Sequence, residues 1–358
     1  MYWQDGELVF ENYALRTRTV AEPLVCSMLD YCDEWRNAAE VASQLGNYDE
    51  ASVRRTLDRL HKAGVLDRSD QKRDLRVEAM ESWAAWNPAA GFFHFSTKDT
   101  EFAENQAEAF AELKRRARQE PMPLACKNYA KAPRITLPRL DAEGEFLAVL
   151  KRRRTWRKFG REAVSLEAVA EILELTFGIQ GWVNVPGLGR AAVKTSPSGG
   201  GLHPIEAYVL AQRVNGLKAG IYHYSAERHE LEWLRGGVSR RELERSLGHQ
   251  WWFTRGAFLV LMTAVFGRTQ WKYDSARAYR VVLAEAGHLG QTFCLAATWL
   301  GLAPFCTMAV RDTKCEEWLG IDGVTESILY VTGAGTRPGE SEMKDANILR
   351  VGRLRTLA

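Results

Sequence analysis

The sequence predicts an α+β fold for residues 146–358 and a winged-helix-like module for residues 1–75. Helical and strand patterns alternate irregularly after residue 146, with a hairpin among them, whereas strict alternation would favour a doubly wound parallel sheet. Before residue 75, two helical patterns are followed by a glycine and a short apolar run. That order is typical of a winged helix-turn-helix.

The N-terminal module carries short but periodic segments. Glu7–Phe10 alternates and predicts a strand, while Asn37–Leu45 and Asp49–Ala63 each place apolar residues on one helical face. Gly64 is expected to end the second helix, and Val65–Asp67 then predicts a strand.

Three roles remain open for this module. DNA binding is disfavoured because Asp49, Glu50 and Asp58 share the second helix with its arginines. Capture of a leader peptide, by adding a strand to an exposed sheet edge, is as well supported as a purely structural role. The module resembles such peptide-recognition elements only loosely, because it has no sharp motif.

Residues 76–145 form a less regular connecting segment. Aromatic residues crowd between Trp83 and Phe95 and are expected to pack over one of the domains, since free linkers rarely carry so many. A charged helix is predicted near Glu101–Arg118. Four prolines then predict an extended connection: Pro121, Pro123, Pro133 and Pro138.

The C-terminal part alternates helices and strands. Helices are predicted over 166–177, 239–247, 276–300 and near 312–319, and strands over 206–212, 220–224, 230–233, 257–266, 305–310 and 327–332. The helix over 276–300 is almost entirely apolar, so it should lie at the centre of the domain or in a subunit interface, with His288 as a core histidine.

Composition excludes several classes of protein. A net charge of +3 does not indicate a nucleic-acid or membrane partner, and no apolar run reaches the length of a membrane span. The N-terminal residues do not resemble a secretory signal, so a cytoplasmic location is expected. The six cysteines show no C-x-x-C pair or zinc-finger spacing, which favours mostly buried thiols and no metal site.

Four segments have residue types suited to chemistry. Lys151–Lys158 could bind a phosphate or be a solvated basic face, and Thr195–Pro204 could approach a ligand or be a flexible loop. Trp271–Asp274 reads as ordinary surface sequence except that it lies between a buried strand and a buried helix. Gly333–Arg337 could bind a phosphate or form a turn. His203 is a further acid–base candidate.

The order of these segments resembles the nitroreductase superfamily. R-R-T-x-R-x-F is followed by P-S-G-G-G, then W-K-Y, and finally G-x-G-x-R. Within the superfamily, the sequence is similar to the SagB-type branch, the FMN-dependent azoline dehydrogenases that make thiazoles and oxazoles in modified peptides. The Lys-Tyr pair separates this branch from simple nitroreductases.

The resemblance implies a nitroreductase-like homodimer with FMN bound between its subunits. The residues that correspond to phosphate and ribityl contacts are Arg153, Arg154, Thr155 (Ser in the family motif), Arg157, Gly335 and Arg337. The residues that correspond to the flavin-lining loop, contributed by the partner chain, are Pro197, Ser198, Gly199 and Gly200. The residues that correspond to the catalytic pair are Lys272 and Tyr273.

The implied reaction explains why a lysine and a tyrosine are needed. An azoline becomes an azole by losing a proton from the carbon next to a carbonyl and a hydride to FMN, which dioxygen reoxidises. Lys272 can act as the base if desolvation lowers its pKa, as its neighbour Trp271 suggests, and Tyr273 can relay the proton. The alternatives are an FMN reductase of small molecules and a flavin-free scaffold. The sequence leaves open whether a cyclodehydratase partner is required.

Overall fold

A computed structural model describes residues 1–120, 135, 137–138 and 143–339. Cys126, three of the prolines (Pro121, Pro123, Pro133) and the residues after 339 lie outside the described residues. The chain divides into two compact units. Unit 1 is Met1–Lys98 with Gln270–Tyr279, and unit 2 is Asp99–Thr269 with the residues from Arg280 onward. The domain boundaries predicted at residues 75 and 145 stay predictions.

Unit 1 begins with a small antiparallel sheet and continues with helices. Its elements are β1 (Tyr2–Gln4), β2 (Glu7–Asn12), β3 (Thr17–Val20), α1 (Leu24–Tyr31), α2 (Ala38–Leu45), α3 (Glu50–Lys62), α4 (Leu75–Ala79) and α5 (Asn87–Thr97). The strands lie in the order β1-β2-β3, so β2 is central and β3 is an edge. Leu8 and Phe10 of β2 pack with Val41, Val53 and Leu60 of the helices in one core.

Both predicted helices of this module are confirmed, but the predicted strand at Val65–Asp67 is wrong. The chain turns back at the end of α3, where the Val65 N–H donates to the carbonyl of Leu60 at 2.8 Å. Asn12 of β2 binds the Gly64 carbonyl through its side chain at 2.7 Å. Residues 65–67 are therefore held as a helix-ending turn, and the sheet of this unit precedes its helices.

The aromatic residues of the connecting segment form a cluster within unit 1. Trp83, Trp86 and Phe95 are buried, and Trp83 and Trp86 pack against Tyr279 at centroid distances of 6.1 and 6.0 Å. The expected packing is thus confirmed for these three side chains, whereas Phe92 and Phe93 are exposed.

Unit 2 contains the larger sheet and the long helix. Its elements are α6 (Gln106–Gln119), α7 (Glu145–Arg152), α8 (Leu166–Phe177), β4 (Gly181–Val185), β5 (Gly189–Val193), β6 (Ile205–Ala211), β7 (Gly220–Ser225), β8 (Glu230–Gly236), α9 (Arg240–Ser246), β9 (Phe258–Val265), α10 (Phe266–Gln270), α11 (Ala278–Trp299), β10 (Ala303–Thr307), α12 (Asp312–Leu319) and β11 (Glu326–Gly335). The last residue of α10 and the first two of α11 belong to unit 1.

The main sheet of the described residues is antiparallel throughout. Its strands lie in the order β10-β11-β9-β6-β7-β8, and β4 and β5 form a separate hairpin. Seven of the eight residues of the central strand β9 are buried. Helices and antiparallel strands succeed one another irregularly along the chain, as an α+β fold requires.

Most predicted elements of unit 2 are confirmed. The helix over 166–177 begins after Ser165, whose hydroxyl accepts the N–H of Ala168 at 3.1 Å, and the hairpin of β7 and β8 forms around residues 226–229. The expectation of a core histidine is wrong for this chain, because His288 is exposed on one face of α11 together with Ala284 and Gly287. The expected place of this helix in a subunit interface stays a prediction. No helix among the described residues is long and apolar enough to cross a membrane.

Close packing of the sheet gives a test at Gly333 in β11. A Cβ atom built there would lie 2.5 Å from the Phe305 ring and 2.8 Å from the Phe258 carbonyl oxygen. We expect Gly333→Ala to lower the free energy of unfolding by about 1–3 kcal/mol, because the backbone has to move. Chemical denaturation measures this change. Gly267→Ala is the control, since a Cβ there meets no atom within 4 Å. Equal stability of the two variants would contradict the packing described for β11.

Candidate functional site

The segment from Arg153 to Gly160 runs beside the ends of two strands. It leaves α7 where the Arg153 N–H donates to the Val149 carbonyl, and the Trp156 N–H then donates to the Pro304 carbonyl of β10 at 2.9 Å. The Gly160 N–H donates to the Thr336 carbonyl at 2.8 Å, and a Cβ on Gly160 would lie 2.6 Å from the Thr336 Oγ1. The basic segment and the C-terminal glycine segment are therefore neighbours in the fold.

Two of the predicted phosphate-binding arginines meet at Trp156. The guanidinium carbon of Arg154 lies 4.8 Å from the Trp156 ring centroid, and that of Arg337 lies 5.7 Å from it. Arg337 also donates to the carbonyls of Leu302 and Thr298, at 3.2 and 3.3 Å, which places it at the C-terminal end of α11. We call Arg152, Arg154, Trp156 and Arg337 the Trp156 cluster.

The Trp156 cluster has the charge of an anion site. Burial lowers the pKa of Arg337, and the nearby charges of Arg152 and Arg154 lower it further. Among the described residues, no carboxylate forms an ion pair with any of these three guanidinium groups within 4 Å. Positive groups that repel one another in this way are stabilised by a bound anion, and guanidinium groups match the geometry of a phosphate.

The charge of Arg153 acts on two thiols, those of Cys294 and Cys306. A hydrogen bond with Cys294 lowers the pKa of Cys306, and the hydroxyl of Tyr330 and the charge of Arg153 lower it further. Cys294 lies on α11 and Cys306 on β10. This position puts Arg153 beside the same two elements that end near the Trp156 cluster.

The remaining residues of the predicted phosphate site are less closely grouped. Thr155 and Arg157 are half-buried, and Arg157 lines a separate cavity with Lys158 and Arg161. Gly335 has a packing role, since a Cβ there would lie 3.1 Å from the buried ring of Phe159.

The glycine loop is bent by residues in unusual backbone conformations. Gly200 and Gly201 have φ of 71° and 70°, and His203 has φ of 44°, a value that non-glycine residues rarely adopt. Gly199 approaches Val281 of α11 so closely that any Cβ on it would clash with that side chain. The loop therefore needs glycine at position 199 to lie against α11.

Glu285 of α11 anchors this loop. Its carboxyl group is only 4% exposed, and the Ser198 hydroxyl donates to it at 2.6 Å. The same hydroxyl accepts the N–H of His203 at 2.9 Å, and His203 Nδ1 lies 3.9 Å from the other carboxylate oxygen. Burial raises the pKa of Glu285, while Ser198, Lys194 and the Gly199 backbone act against that rise.

A polar network continues from His203 into the sheet. Arg268 donates to the His203 carbonyl at 2.8 Å and pairs with Glu206. Glu206 also lies 3.1 Å from His223 Nε2, and Glu232 lies 2.8 Å from His223 Nδ1. Hydrogen bonds to these carboxylates raise the pKa of His223 to about 9.

Sequence reasoning did not find this network. Its signal was a charged residue inside each of two apolar strands, Glu206 in β6 and His223 in β7. Lys194 belongs to the same surroundings, because burial lowers its pKa and Glu206 and Glu285 oppose that effect.

The predicted catalytic pair belongs to unit 1. The Trp86 indole N–H donates to the Tyr273 carbonyl at 2.8 Å, and the ammonium of Lys272 lies 5.7 Å from the Tyr273 ring centroid. Lys272 is exposed and Tyr273 is half-buried. The expected desolvation of Lys272 is therefore not provided by this chain alone, because its neighbour Trp271 is itself 68% exposed.

The nitroreductase family model matches residues 150–336, which contain the glycine loop, Glu285 and, of the Trp156 cluster, Arg152, Arg154 and Trp156; Arg337 follows the last matched residue. The chain belongs to the nitroreductase family. Members of this family generally bind a flavin. The structure has the family's mixture of helices and an antiparallel sheet, and its similarity to peptide-processing members agrees with the SagB-type motifs.

Similar proteins include both peptide-processing proteins and plain members of the family. The trifolitoxin-processing protein TfxB of Rhizobium leguminosarum is 30% identical over 46% of this chain and 46% of TfxB, so the match spans less than half of TfxB. MJ1384 of Methanocaldococcus jannaschii, whose name describes it as a nitroreductase, is 29% identical over a match that covers 52% of this chain and 89% of MJ1384. The Escherichia coli microcin synthetase McbBCD complex contains a chain with a similar fold, with a TM-score of 0.50 and 21% identity over 76% of this chain and 100% of that one.

Two features of unit 2 suit separate parts of a flavin nucleotide. The guanidinium groups of the Trp156 cluster suit a phosphate dianion, and the glycine loop has no side chain at Gly200, while Gly199 packs against α11. Ser198 has another partner, because its hydroxyl is bound to Glu285. Its role is therefore to shape the loop, whatever the loop binds.

The anchoring role of Glu285 can be tested by removing its carboxyl group. Glu285→Ala leaves the Ser198 hydroxyl and the Gly199 N–H without their acceptor, so we expect the free energy of unfolding to fall by about 1–3 kcal/mol. We also expect the purified variant to lose FMN during gel filtration. Glu285→Gln keeps one acceptor oxygen and should show a smaller effect on both measurements. Wild-type stability and FMN content in Glu285→Ala would contradict the anchoring role.

His223 gives a prediction about pH. Its pKa is raised from 6.5 to about 9 in the folded chain, so its contribution to stability is complete below pH 6.5 and is lost as the pH rises through 9. We expect this contribution to be on the order of 1 kcal/mol after solvent screening. Denaturation midpoints measured between these pH values should fall for the wild type and stay flatter for His223→Gln. If the midpoints of the wild type and of His223→Gln changed equally with pH, the carboxylates of the network would not be stabilising the protonated form of His223.

Proposed function

We propose that this protein is an FMN-dependent dehydrogenase that oxidises azoline rings to azoles in a ribosomally made peptide. The observation that carries the flavin part is the Trp156 cluster, in which three guanidinium groups lie together without carboxylate partners among the described residues. The peptide part is supported by the similarity to TfxB, which is named for processing trifolitoxin. A cytoplasmic location stays a prediction.

We assign the phosphate of FMN to Arg154 and Arg337 of the Trp156 cluster, together with Arg153 of the same sequence motif, and the flavin ring to the loop of Pro197–Gly200. Within one chain, the loop is bound at Glu285 and Arg337 is bound at Thr298. These positions are 13 residues apart in α11, or about 20 Å along the helix axis. This separation supports a homodimer in which the arginines of one chain and the loop of the other hold the same flavin.

The exposed face of α11 supports the same arrangement. Ala284 and Gly287 lie on it and are small, so a second chain could approach the helix closely there. Bound FMN supplies the hydride acceptor. The chain itself supplies the base, which we assign to Lys272, with Tyr273 beside it to carry the proton away.

The proton and the hydride leave the substrate from neighbouring carbons of the azoline ring. Lys272 takes the proton from the carbon next to the carbonyl, which needs an unprotonated amine. Because Lys272 is exposed in the single chain, the desolvation that favours its neutral form has to come from the bound peptide or the second subunit. We therefore expect the base to form only in the assembled complex.

A flavin-dependent reductase of small molecules is the alternative. It is supported by the match to MJ1384, which covers 89% of that protein and hence little beyond the nitroreductase region. The Lys272-Tyr273 pair favours the dehydrogenase, because a simple reductase needs no base at this place.

We also propose that unit 1 captures the substrate peptide. A cavity of about 470 Å³ lies between β3 and α3, and its lining includes Thr19 and Val20 of β3 and Val53, Thr56 and Leu60 of α3. An extended peptide could add to the open edge of β3 and place alternate apolar side chains in this cavity. This hypothesis keeps the peptide-recognition role that the sequence suggested for residues 1–75. It does not depend on a winged-helix arrangement.

The edge of β3 has identifiable main-chain donors. Ala21 donates its N–H to the Leu8 carbonyl, and Val9 pairs with Val20, Phe10 with Thr19 and Glu11 with Arg18. Because hydrogen-bonded and non-hydrogen-bonded pairs alternate in antiparallel strands, the N–H and C=O groups of Arg18 and Val20 point away from β2. These groups are the ones that an added strand would bind.

The microcin synthetase structure contains a related chain in a complex with a truncated precursor peptide. By analogy, we propose that a cyclodehydratase forms the azoline before this enzyme oxidises it. The two enzymes could share one peptide, held by its leader in unit 1.

Lys272→Ala tests the assignment of the base. We expect the rate of azole formation to fall by about 100-fold or more, because the proton no longer has a positioned acceptor. Mass spectrometry of the peptide measures the rate, and visible absorbance measures the FMN content, which should not change. Lys72→Ala removes another exposed lysine of unit 1 and should leave the rate at the wild-type value. A Lys272→Ala rate near wild type would refute the assignment of Lys272 as the base.

Arg18→Pro tests the proposed peptide edge. Proline removes the outward N–H without breaking the pairing with β2, so we expect the dissociation constant for the precursor peptide to rise about tenfold. Arg18→Ala is the matched control, because it removes the same side chain and keeps the N–H. Fluorescence anisotropy of a labelled peptide measures both. Equal affinities of the two variants would show that the peptide does not add to β3.

A further inference from the structure

A second group of positive charges surrounds a cavity of about 550 Å³ in unit 2. Six of its ten lining residues are cationic and none is acidic: Arg157, Lys158, Phe159, Gly160, Arg161, Arg213, Arg240, Trp251, Arg255 and Pro338. We call it the arginine cavity. Its lining includes no residue of the Trp156 cluster (Arg152, Arg154, Trp156 and Arg337), so it differs from that cluster.

The five arginines of this cavity have no acidic partners. Among the described residues, none of their guanidinium groups forms an ion pair within 4 Å. Arg213 donates to the carbonyls of Arg255 and Gly160, at 2.7 and 3.5 Å, and Arg240 donates to the Thr254 hydroxyl at 3.2 Å. These contacts orient the side chains, and no carboxylate in the described part of the chain pairs with their charges.

Arg213 shows that the arrangement is built into the fold. Its Nε atom is buried and has no hydrogen-bond partner among the described residues. Burial also lowers the pKa of Arg213. A partly buried guanidinium group with an unpaired donor is costly to hold in place, and a negative charge bound in the cavity would lower that cost.

The size and charge of the cavity indicate the kind of anion. A volume of about 550 Å³ lies within the range of small-molecule sites. A single phosphate needs only two or three guanidinium groups, and this cavity presents five. Guanidinium groups bind phosphate oxygens in pairs, so several phosphates in a row would use the set best.

We propose that the arginine cavity binds a polyphosphate chain, either free or as part of a nucleotide. Trp251 can distinguish these two sources, because its ring is 42% exposed at the cavity and could stack on a base. The guanidinium group of Arg255 already lies 5.6 Å from the centroid of this ring. The proposal also gives Arg157 a role apart from the flavin phosphate.

Isothermal titration calorimetry of the whole 358-residue chain, as purified, tests this proposal with sodium triphosphate and with ATP. We expect both to bind, and the double variant Arg161→Gln/Arg255→Gln to weaken the binding about tenfold or more, because two of the cavity's charges are lost. Both residues are exposed, so the variant should fold. Arg228→Gln, which removes an exposed charge in the turn between β7 and β8, should bind as the wild type does.

Trp251→Ala separates the two sources. If the ligand is a nucleotide, this variant weakens ATP binding and leaves triphosphate binding unchanged; if it is a free polyphosphate, both affinities stay as in the wild type. Three results would overturn the proposal: no binding of either compound, equal binding by the double variant, or release of bound FMN by triphosphate. The last result would assign the cavity to the flavin site. FMN content is read separately from visible absorbance, so a failure here leaves the proposed dehydrogenase function untouched.

Discussion

The carboxyl group of Glu285 lies on a largely apolar helix and is almost completely buried, and a group of this kind has to find hydrogen-bond donors. The donors come from the glycine loop, through the Ser198 hydroxyl and the Gly199 backbone. Because the loop is held there, Gly199 lies against Val281 and His203 is forced to a positive φ. The shape of the loop thus depends on satisfying one buried carboxyl group.

The polar network beyond His203 extends this constraint into the sheet. Arg268 holds the His203 carbonyl and pairs with Glu206, whose second partner is His223. At the other end of α11, the carbonyl of Thr298 binds Arg337 and so fixes the position of the Trp156 cluster. One helix therefore organises both the loop and the arginines to which we assign the flavin.

Much of the fold could be predicted from local sequence patterns, because the spacing of apolar residues reflects which side chains are buried. The helix over 166–177 had a serine cap and one apolar face, and the hairpin of β7 and β8 had strands on both sides of a polar turn. The hairpin of β4 and β5 was missed because its side chains are largely exposed and give no alternation of burial. Val65–Asp67 resembled a strand, but hydrogen bonds to the end of α3 hold it as a turn.

Residues of the candidate site were predictable where they lie in a contiguous sequence motif. They were not predictable where their roles depend on tertiary contacts. Arg154 and Arg337 were found from separate motifs, and the fold brings both to Trp156. The sequence could not show that Glu285 holds the glycine loop or that Lys194 is buried near it, because both roles depend on which loop packs against α11. The exposure of Lys272 was also not encoded locally, since a neighbouring tryptophan does not guarantee burial.

The proposed dehydrogenase function can be tested by anaerobic mixing of the FMN-loaded protein with a peptide that contains a single azoline ring. We expect the visible absorbance of the flavin to bleach and the peptide to lose the mass of two hydrogen atoms in equal amount. An unbleached flavin and an unchanged peptide mass, in a sample whose flavin is readily reduced by a small-molecule donor, would contradict azoline oxidation and favour a reductase.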